Sequence, residues 1–139
     1  MKHGYRLLDH TADLRLEIFG VDGGDLFVQA ALALTDLITD PRSVRPLDRR
    51  TIAVTGTDWA DLMVNWLREL LYLWSGEERL VGAVELAALE QTRLQAQVDV
   101  DRFDPRIHTI RNEIKAVTYH QIEAGPFQAG WRARVVFDI

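Results

Sequence analysis

The fold is decided by residues 81–100, VGAVELAALEQTRLQAQVDV, where two strand-like runs follow one another almost directly. Residues 81–89 and 93–100 are rich in alternating or continuous apolar positions, as β-strands are. Only a polar Glu-Gln-Thr separates them, so no helix lies between the two runs. Adjacent strands of this kind favour an α+β fold over a doubly wound α/β fold.

The same strand pattern occurs towards both ends of the chain. Residues 4–8 predict a short strand, and residues 14–19 alternate aliphatic with charged or aromatic side chains, which predicts a strand with one buried face. Further strands are predicted at residues 51–54, 113–122 and 131–137. Turn-like segments, such as Ala124-Gly125-Pro126, separate the later strands.

Two amphipathic helices are predicted between the strands. The first has apolar residues spaced by three and four from Leu26 to Ile38, and Asp40-Pro41 ends it. The second is capped by Thr57 or Asp58, carries a stripe from Leu62 to Trp74, and is closed by Ser75-Gly76. No internal repeat is visible. We therefore predict an α+β single domain, residues 1–139, with a mixed or antiparallel sheet packed against two helices.

Composition excludes several classes of function. The chain has 139 residues, of which 47% are apolar and 27% charged, and this suits one globular domain. The absence of cysteine excludes disulfides, thiolate zinc sites and a cysteine nucleophile. No apolar run is long enough to span a bilayer and no signal peptide is visible, so a cytoplasmic protein without membrane contact is expected.

The charge balance argues against a nucleic-acid-binding domain. A net charge of −5 is unfavourable for binding phosphates, so direct RNA contact is expected to be weak or absent. The loop that contains Arg42, Arg45, Arg49 and Arg50 is either a local basic binding patch or a solvated connection, and the sequence leaves both interpretations open.

Two other patterns are rejected as functional motifs. The glycines before the first helix lack the Lys-Ser/Thr of a phosphate loop, and Asp99-x-Asp101-x-x-Asp104 lacks the glycine and glutamate of a calcium loop.

Asp9-His10-Thr11-Ala12-Asp13 is the densest polar cluster between two apolar strands. Loops carried by strands are common positions for functional sites. A turn in which the side chains bond the local backbone explains the same residues. Periodicity alone leaves both interpretations open.

The end of the chain is a second candidate. A strand over 131–139 places Ile139 on the core face and its α-carboxylate beside the Asp138 side chain. If Asp13 lies next to them, three carboxylates repel one another unless a cation intervenes. An all-oxygen set suits Ca²⁺, Mg²⁺ or Mn²⁺ better than Zn²⁺. The alternative is that Asp138 and the terminus are simply solvated.

Residues 113–120 form the third candidate. Alternation places Lys115, Val117 and Tyr119 on one strand face, with His120 on the other. Lys115 is either an edge lysine whose stem packs on apolar surface or a cation that faces the carboxylates. His120 is expected to be a packed or surface histidine.

Taken together, these residues resemble the archease family. The resemblance rests on His10-Thr11-Ala12-Asp13, on the stretch Lys115-Ala-Val-Thr-Tyr-His120, and on the final Asp138-Ile139, in that order. It also covers both predicted helices, and so nearly the whole chain. One departure is Val100-Asp101, where the family commonly has a Gly-Glu pair, which indicates a rebuilt local turn.

The resemblance implies an accessory protein of the GTP-dependent RNA ligase that joins tRNA halves and other RNAs with 2′,3′-cyclic phosphate ends. Archeases promote guanylylation of the ligase and its multiple turnover, without catalysing ligation themselves. The family binds a divalent metal, calcium in particular. The resemblance implies that the metal ligands in this chain are Asp13, Asp138 and Ile139. Asp9, His10, Lys115 and His120 are expected around the metal or at the partner contact.

Three other functions are left open. A small metal-dependent hydrolase would use Asp13, Asp138 and His120, although the sequence shows no nucleophile or base constellation. A general chaperone or adaptor would bind many unfolded proteins. A modulator of a tRNA methyltransferase would need a different partner.

Overall fold

The computed structural model describes residues 4–8 and 13–139. Its elements, in chain order, are β1 (Gly4–Leu7), β2 (Asp13–Gly20), α1 (Gly23–Ile38), β3 (Asp48–Thr55), α2 (Trp59–Glu77), β4 (Arg79–Glu90), β5 (Arg93–Arg102), β6 (Ala116–Phe127) and β7 (Gly130–Asp138). A short 3₁₀ turn, Pro41–Ser43, follows α1. None of the helices in these described ranges is both long and apolar enough to cross a membrane.

The strands form two antiparallel sheets, in the orders β1-β2-β7-β6 and β3-β5-β4. Helix α1 packs on β2 and β4, and helix α2 packs on β6 and β3, so each helix contacts both sheets. The predicted α+β class with two amphipathic helices on antiparallel strands is confirmed. The strands are divided between two sheets, where a single sheet was predicted.

The two helices are joined through the centre of the core. The Trp66 side chain in α2 is fully buried, and its indole Nε1 donates a 2.9 Å hydrogen bond to the backbone carbonyl of Phe27 in α1. A buried indole N–H needs such a partner, because an unpaired donor costs free energy. This bond fixes how α1 and α2 lie against each other.

Both helices begin with the same seven-residue pattern, Gly-x-Asp-x-x-Asp-Leu, at residues 20–26 and 56–62. In α1 the N-cap Asp22 accepts from the Asp25 N–H at 2.8 Å, and Asp25 accepts from the Val21 N–H at 2.9 Å. Asp58 and Asp61 repeat these two bonds at the start of α2 with the same distances. The arrangement is a variant of the capping box, in which the aspartate at the third helical position accepts from the residue before the N-cap.

The repeat also explains the glycine that opens each pattern. A Cβ on Gly20 would lie 2.4 Å from the Leu26 nitrogen, and a Cβ on Gly56 would lie 2.6 Å from the Leu62 nitrogen. The two helices thus share a start motif, although the sequences around it are unrelated. Gly20 thus allows the close approach of Leu26, and Gly23 and Gly24 form the first turn of α1 after the N-cap Asp22, in agreement with the rejection of a phosphate loop.

Three predicted boundaries differ from the structure. Ala124-Gly125-Pro126 lies inside β6, opposite residues 131–133 of β7, and is not a turn. Helix α2 continues through Gly76 to Glu77, and Glu78 is its left-handed C-cap; at Gly76 a Cβ would lie 2.5 Å from the Tyr72 ring. Strand β6 starts at Ala116 rather than at residue 113.

A buried ion pair fixes the segment that follows β5. Asp101, fully buried, accepts from the Arg45 backbone N–H at 2.9 Å and from the Arg45 Nε at 3.1 Å. The Asp104 N–H donates to His108 Nδ1, so the ring proton is on Nε2, 3.0 Å from Asp101 Oδ2. Burial raises the pKa of Asp101, but the bonds from Arg45 and His108 outweigh it and hold that pKa below its ordinary value.

We expect Asp101→Asn to destabilise the fold by about 1–3 kcal/mol near pH 7, because the amide cannot accept all of these bonds. Since the folded pKa of Asp101 is lowered, its contribution is complete above the ordinary aspartate pKa and is lost as the pH falls through the lower folded value. Urea unfolding from pH 7 to pH 3 should therefore show the two stabilities converging. Asp99→Asn, which removes the solvated pair with Arg49, is the control, and equal losses in both variants would contradict the interpretation.

Candidate metal centre

Two of the predicted metal ligands lie opposite each other in one sheet. Asp13, the first residue of β2, is the register partner of Asp138, the last residue of β7. Directly opposed residues of an antiparallel pair share a face, with Cβ atoms about 4.5–5.5 Å apart. Ile139, the third predicted ligand, follows immediately. The end of β7 thus lies beside the start of β2.

Core packing determines this arrangement. The next pair along the ladder is Leu14 opposite Phe137, and both side chains are buried. Because side chains alternate along a strand, Asp13 and Asp138 point to the other, outer face of the sheet. The backbone of the tail is held by β6, where Ala116 is opposite Asp138 and the Lys115 N–H donates to the Asp138 carbonyl at 2.8 Å.

The carboxylates in this corner are only partly neutralised. Like charges directly opposite each other destabilise a strand pair. The Arg15 Nε lies 3.3 Å from Asp13 Oδ1, a long distance for an ion pair, and the Arg15 side chain is 38% exposed. The Asp138 carboxylate has no hydrogen bond or ion pair with any of the residues 4–8 or 13–139.

The donor chemistry fits a hard cation. Two aspartates and a terminal carboxylate supply only oxygen ligands, which Ca²⁺ and Mg²⁺ prefer. Among the described ranges, no three His, Asp or Glu side chains are grouped so as to hold a metal. Asp9 and His10 lie outside the described residues.

The structure corrects the predicted position of Ile139 and shows where Lys115 and His120 lie. Ile139 is 40% exposed and does not pack in the core, because β7 ends at Asp138 and Phe137 already fills the last inward position. Lys115 faces the groove beside Trp74, and its ammonium forms no ion pair with a described carboxylate. His120 is exposed in the irregular part of β6, where residues 119–122 leave the β7 register, and it does not join the two aspartates.

Arg15 is the site residue that the sequence analysis missed. It stands two positions after Asp13 on the same face of β2, a spacing visible in the sequence. Further along this outer face the charges are paired. The buried Glu17 carboxylate forms ion pairs with Arg6 at 2.7 Å and with Arg134 at 3.0 Å. Burial raises the pKa of Glu17, but these arginines more than compensate and lower it.

The arginine-rich loop is not a free basic patch. All four of its arginines pair with carboxylates: Arg42 with Asp40, Arg45 with Asp101, Arg49 with Asp99, and Arg50 with Glu77. Arg49 and Arg50 belong to β3 rather than to a loop. The alternative of a structural connection is therefore the one that the structure supports.

Comparisons with known proteins agree over almost the full length. Residues 5–139 match the Archease protein family (MTH1598/TM1083). The chain is 34% identical to the archease of Methanosarcina mazei, with 97% of this chain and 95% of that protein covered. It is 32% identical to the archease of Saccharolobus solfataricus, with 97% and 98% covered.

Solved structures share the fold. The solution structure of protein 1598 of Methanobacterium thermoautotrophicum gives a TM-score of 0.80 at 28% identity, covering 98% of this chain and 99% of that one. The crystal structure of an archease and possible chaperone of Thermotoga maritima gives 0.64 at 18% identity over all of both chains, a likeness of fold alone. From its matched residues and its relatives, the chain belongs to the archease family.

Proposed function

We propose that this protein is a non-catalytic accessory factor of the GTP-dependent RNA ligase that acts in tRNA splicing. The proposal is supported by family membership and rests on one structural observation, the cross-strand pair of Asp13 and Asp138 beside the chain terminus. In this role it promotes guanylylation and multiple turnover of the ligase. The ligase, GTP and tRNA are cytoplasmic, so we place the protein there.

Asp13, Asp138 and the Ile139 carboxylate are the groups that would hold a divalent cation, with calcium as the first candidate and Mg²⁺ or Mn²⁺ as alternatives. When bound, such an ion supplies positive charge at the edge of the sheet for orienting phosphate oxygens. The protein's own residues contribute fixed geometry: the β2–β7 register sets the separation of the two aspartates, and Lys115 clamps the tail backbone.

Charge supports a protein partner with a basic surface. The chain carries a net charge of −5, whereas a ligase that binds RNA and a triphosphate must present positive potential. Complementary charge accelerates association and selects the partner. The same charge makes direct RNA contact by this protein unfavourable.

Asp13→Asn and Asp138→Asn should each weaken Ca²⁺ binding on the order of tenfold or more, since affinity depends on the number of charged ligands. Both should also reduce ligase guanylylation. Isothermal titration and a radiolabelled-GTP guanylylation assay measure the two effects. Asp48→Asn, on an exposed and unpaired aspartate of β3, is the matched control. Full stimulation by both site variants would contradict the metal-dependent role.

Arg15→Gln should tighten Ca²⁺ binding by about threefold to tenfold, because it removes the cation that competes for Asp13. Arg93→Gln removes an exposed arginine paired with Glu90 and should leave the affinity unchanged. The measurement is calcium titration of the two variants and the parent protein at low ionic strength. Weaker binding in Arg15→Gln would show that the guanidinium supports the site instead of competing.

Converting the terminal carboxylate of Ile139 to an amide by semisynthesis should weaken Ca²⁺ binding about as much as neutralising one aspartate. Two alanines appended after Ile139 should have the same effect, because the charge moves away. Circular dichroism checks that the fold is retained, which the exposed position of Ile139 predicts. Unchanged affinity in both versions would remove the terminus from the ligand set.

The same preparations separate the other candidate functions. A hydrolase predicts turnover by the isolated protein with Ca²⁺ or Mg²⁺. A general chaperone predicts binding to many unfolded proteins whether or not the ligase is present, and a methyltransferase modulator predicts no effect on guanylylation.

A further inference from the structure

A groove of about 570 Å³ lies on the side of the molecule where α2 ends. Its floor is apolar and contains the half-buried rings of Trp74 and Phe103, packed edge to face with centroids 5.3 Å apart. Its rim carries three charged residues: Glu78, Glu113 and Lys115. This volume is in the range that holds a few side chains of a bound segment.

The rim charges are unusual because they are unpaired. In the part of the chain that the structure describes, the side chains of Glu78, Glu113 and Lys115 make no hydrogen bond or ion pair, and all three are exposed. Nearby acids behave differently, since Glu77 pairs with Arg50 and Asp104 with Arg106. The two free carboxylates are therefore available to an external cation.

The walls of the groove are fixed before any partner arrives. Glu78 caps α2 in the left-handed conformation, and its carbonyl accepts from the Phe103 N–H at 3.0 Å. The opposite wall is tied to α1 by the Arg111 N–H, which donates to Ile38 at 2.7 Å. The carboxyl end of α2 adds negative partial charge on the same side as Glu78. A preformed, negatively charged groove costs little ordering when it binds.

We propose that this groove docks a segment of the RNA ligase that carries an apolar anchor flanked by lysine or arginine. The inference rests on the proposed function and adds the surface at which the partner binds. The anchor covers Trp74 and Phe103, and the basic residues pair with Glu78 and Glu113. A second copy of this chain is the wrong occupant, because its arginine-rich stretch, residues 42–50, is already paired with its own carboxylates.

The position of the groove relative to the metal corner supports this choice. Lys115 lies on the groove rim, and its own N–H is bonded to the Asp138 carbonyl. The groove rim and the strand end that carries Asp138 are thus joined through one backbone hydrogen bond.

The first test reverses charge on the rim. Glu78→Lys combined with Glu113→Lys should weaken binding to the purified ligase by about tenfold or more at low salt, and the loss should shrink as salt rises. The control is a double reversal of two exposed acids that lie outside the groove and have no partner among the described residues, Asp48→Lys with Glu69→Lys, which should stay within about twofold of the parent. Affinity is measured by biolayer interferometry, and circular dichroism confirms folding.

The second test uses the absence of cysteine. Ser75→Cys, on the groove lining, provides a single attachment point for an environment-sensitive dye, and Thr92→Cys in the β4–β5 turn provides the control. Ligase should change the dye emission at position 75 and leave position 92 unchanged. This reporter does not depend on the charge-reversal variants being well folded.

The outcomes separate the groove from the proposed function. Lost binding by the rim variant together with a response at position 75 supports the groove, whereas parent-like binding with a silent dye overturns it, even if ligase stimulation is intact. An Asp13→Asn protein that docks normally but no longer stimulates the ligase supports separate docking and metal roles. A parent protein that neither binds nor stimulates the ligase overturns the proposed function, and the groove assignment falls with it.

Discussion

The pairing of β2 with β7 is the constraint on which the rest of the structure depends. It joins the first long strand to the last one, and its inward residues are the aliphatic and aromatic side chains that α1 covers: Leu14, Leu16, Ile18, Ala133, Val135 and Phe137. A slip of one residue would turn all of them to solvent, so the register is strongly specified. The opposition of Asp13 and Asp138 is a direct consequence, because no other register buries Leu14 against Phe137.

Most acidic side chains that the structure describes stabilise the fold as helix caps or in ion pairs. The repeated helix starts use Asp22, Asp25, Asp58 and Asp61 as caps, and Asp101 holds a buried network together. The Tyr119 hydroxyl also donates to Asp61, which lowers the pKa of that carboxyl further. Net charge is therefore a poor guide to where a cation or a basic partner binds. Among the described residues, the acids without a partner are more informative, and two of them, Glu78 and Glu113, lie on the rim of one groove.

How far the sequence predicts this protein depends on whether a feature is local. Both helices and most strands follow from hydrophobic periodicity, and the outward direction of Asp138 follows from alternation with Phe137. The division of the strands between two sheets does not follow from periodicity, because β2 pairs with β7 and β3 with β5, strands that are distant in the sequence. Ala124-Gly125-Pro126 has the composition of a turn, but strand β7 pairs with it and overrides that preference. Ile139 is apolar yet exposed, because the strand ends one residue before it.

Residues 110–116 connect the two features that the proposed function needs. One side of this extended segment carries Glu113 on the groove rim, and its end supplies the N–H that holds the Asp138 carbonyl. Asn112 ties the same segment to the last turn of α1, through a 2.7 Å bond to Leu37. The same backbone therefore positions the groove rim and the end of β7, whereas the side chains at the two places, Glu113 and Asp138, are separate groups that separate substitutions can remove.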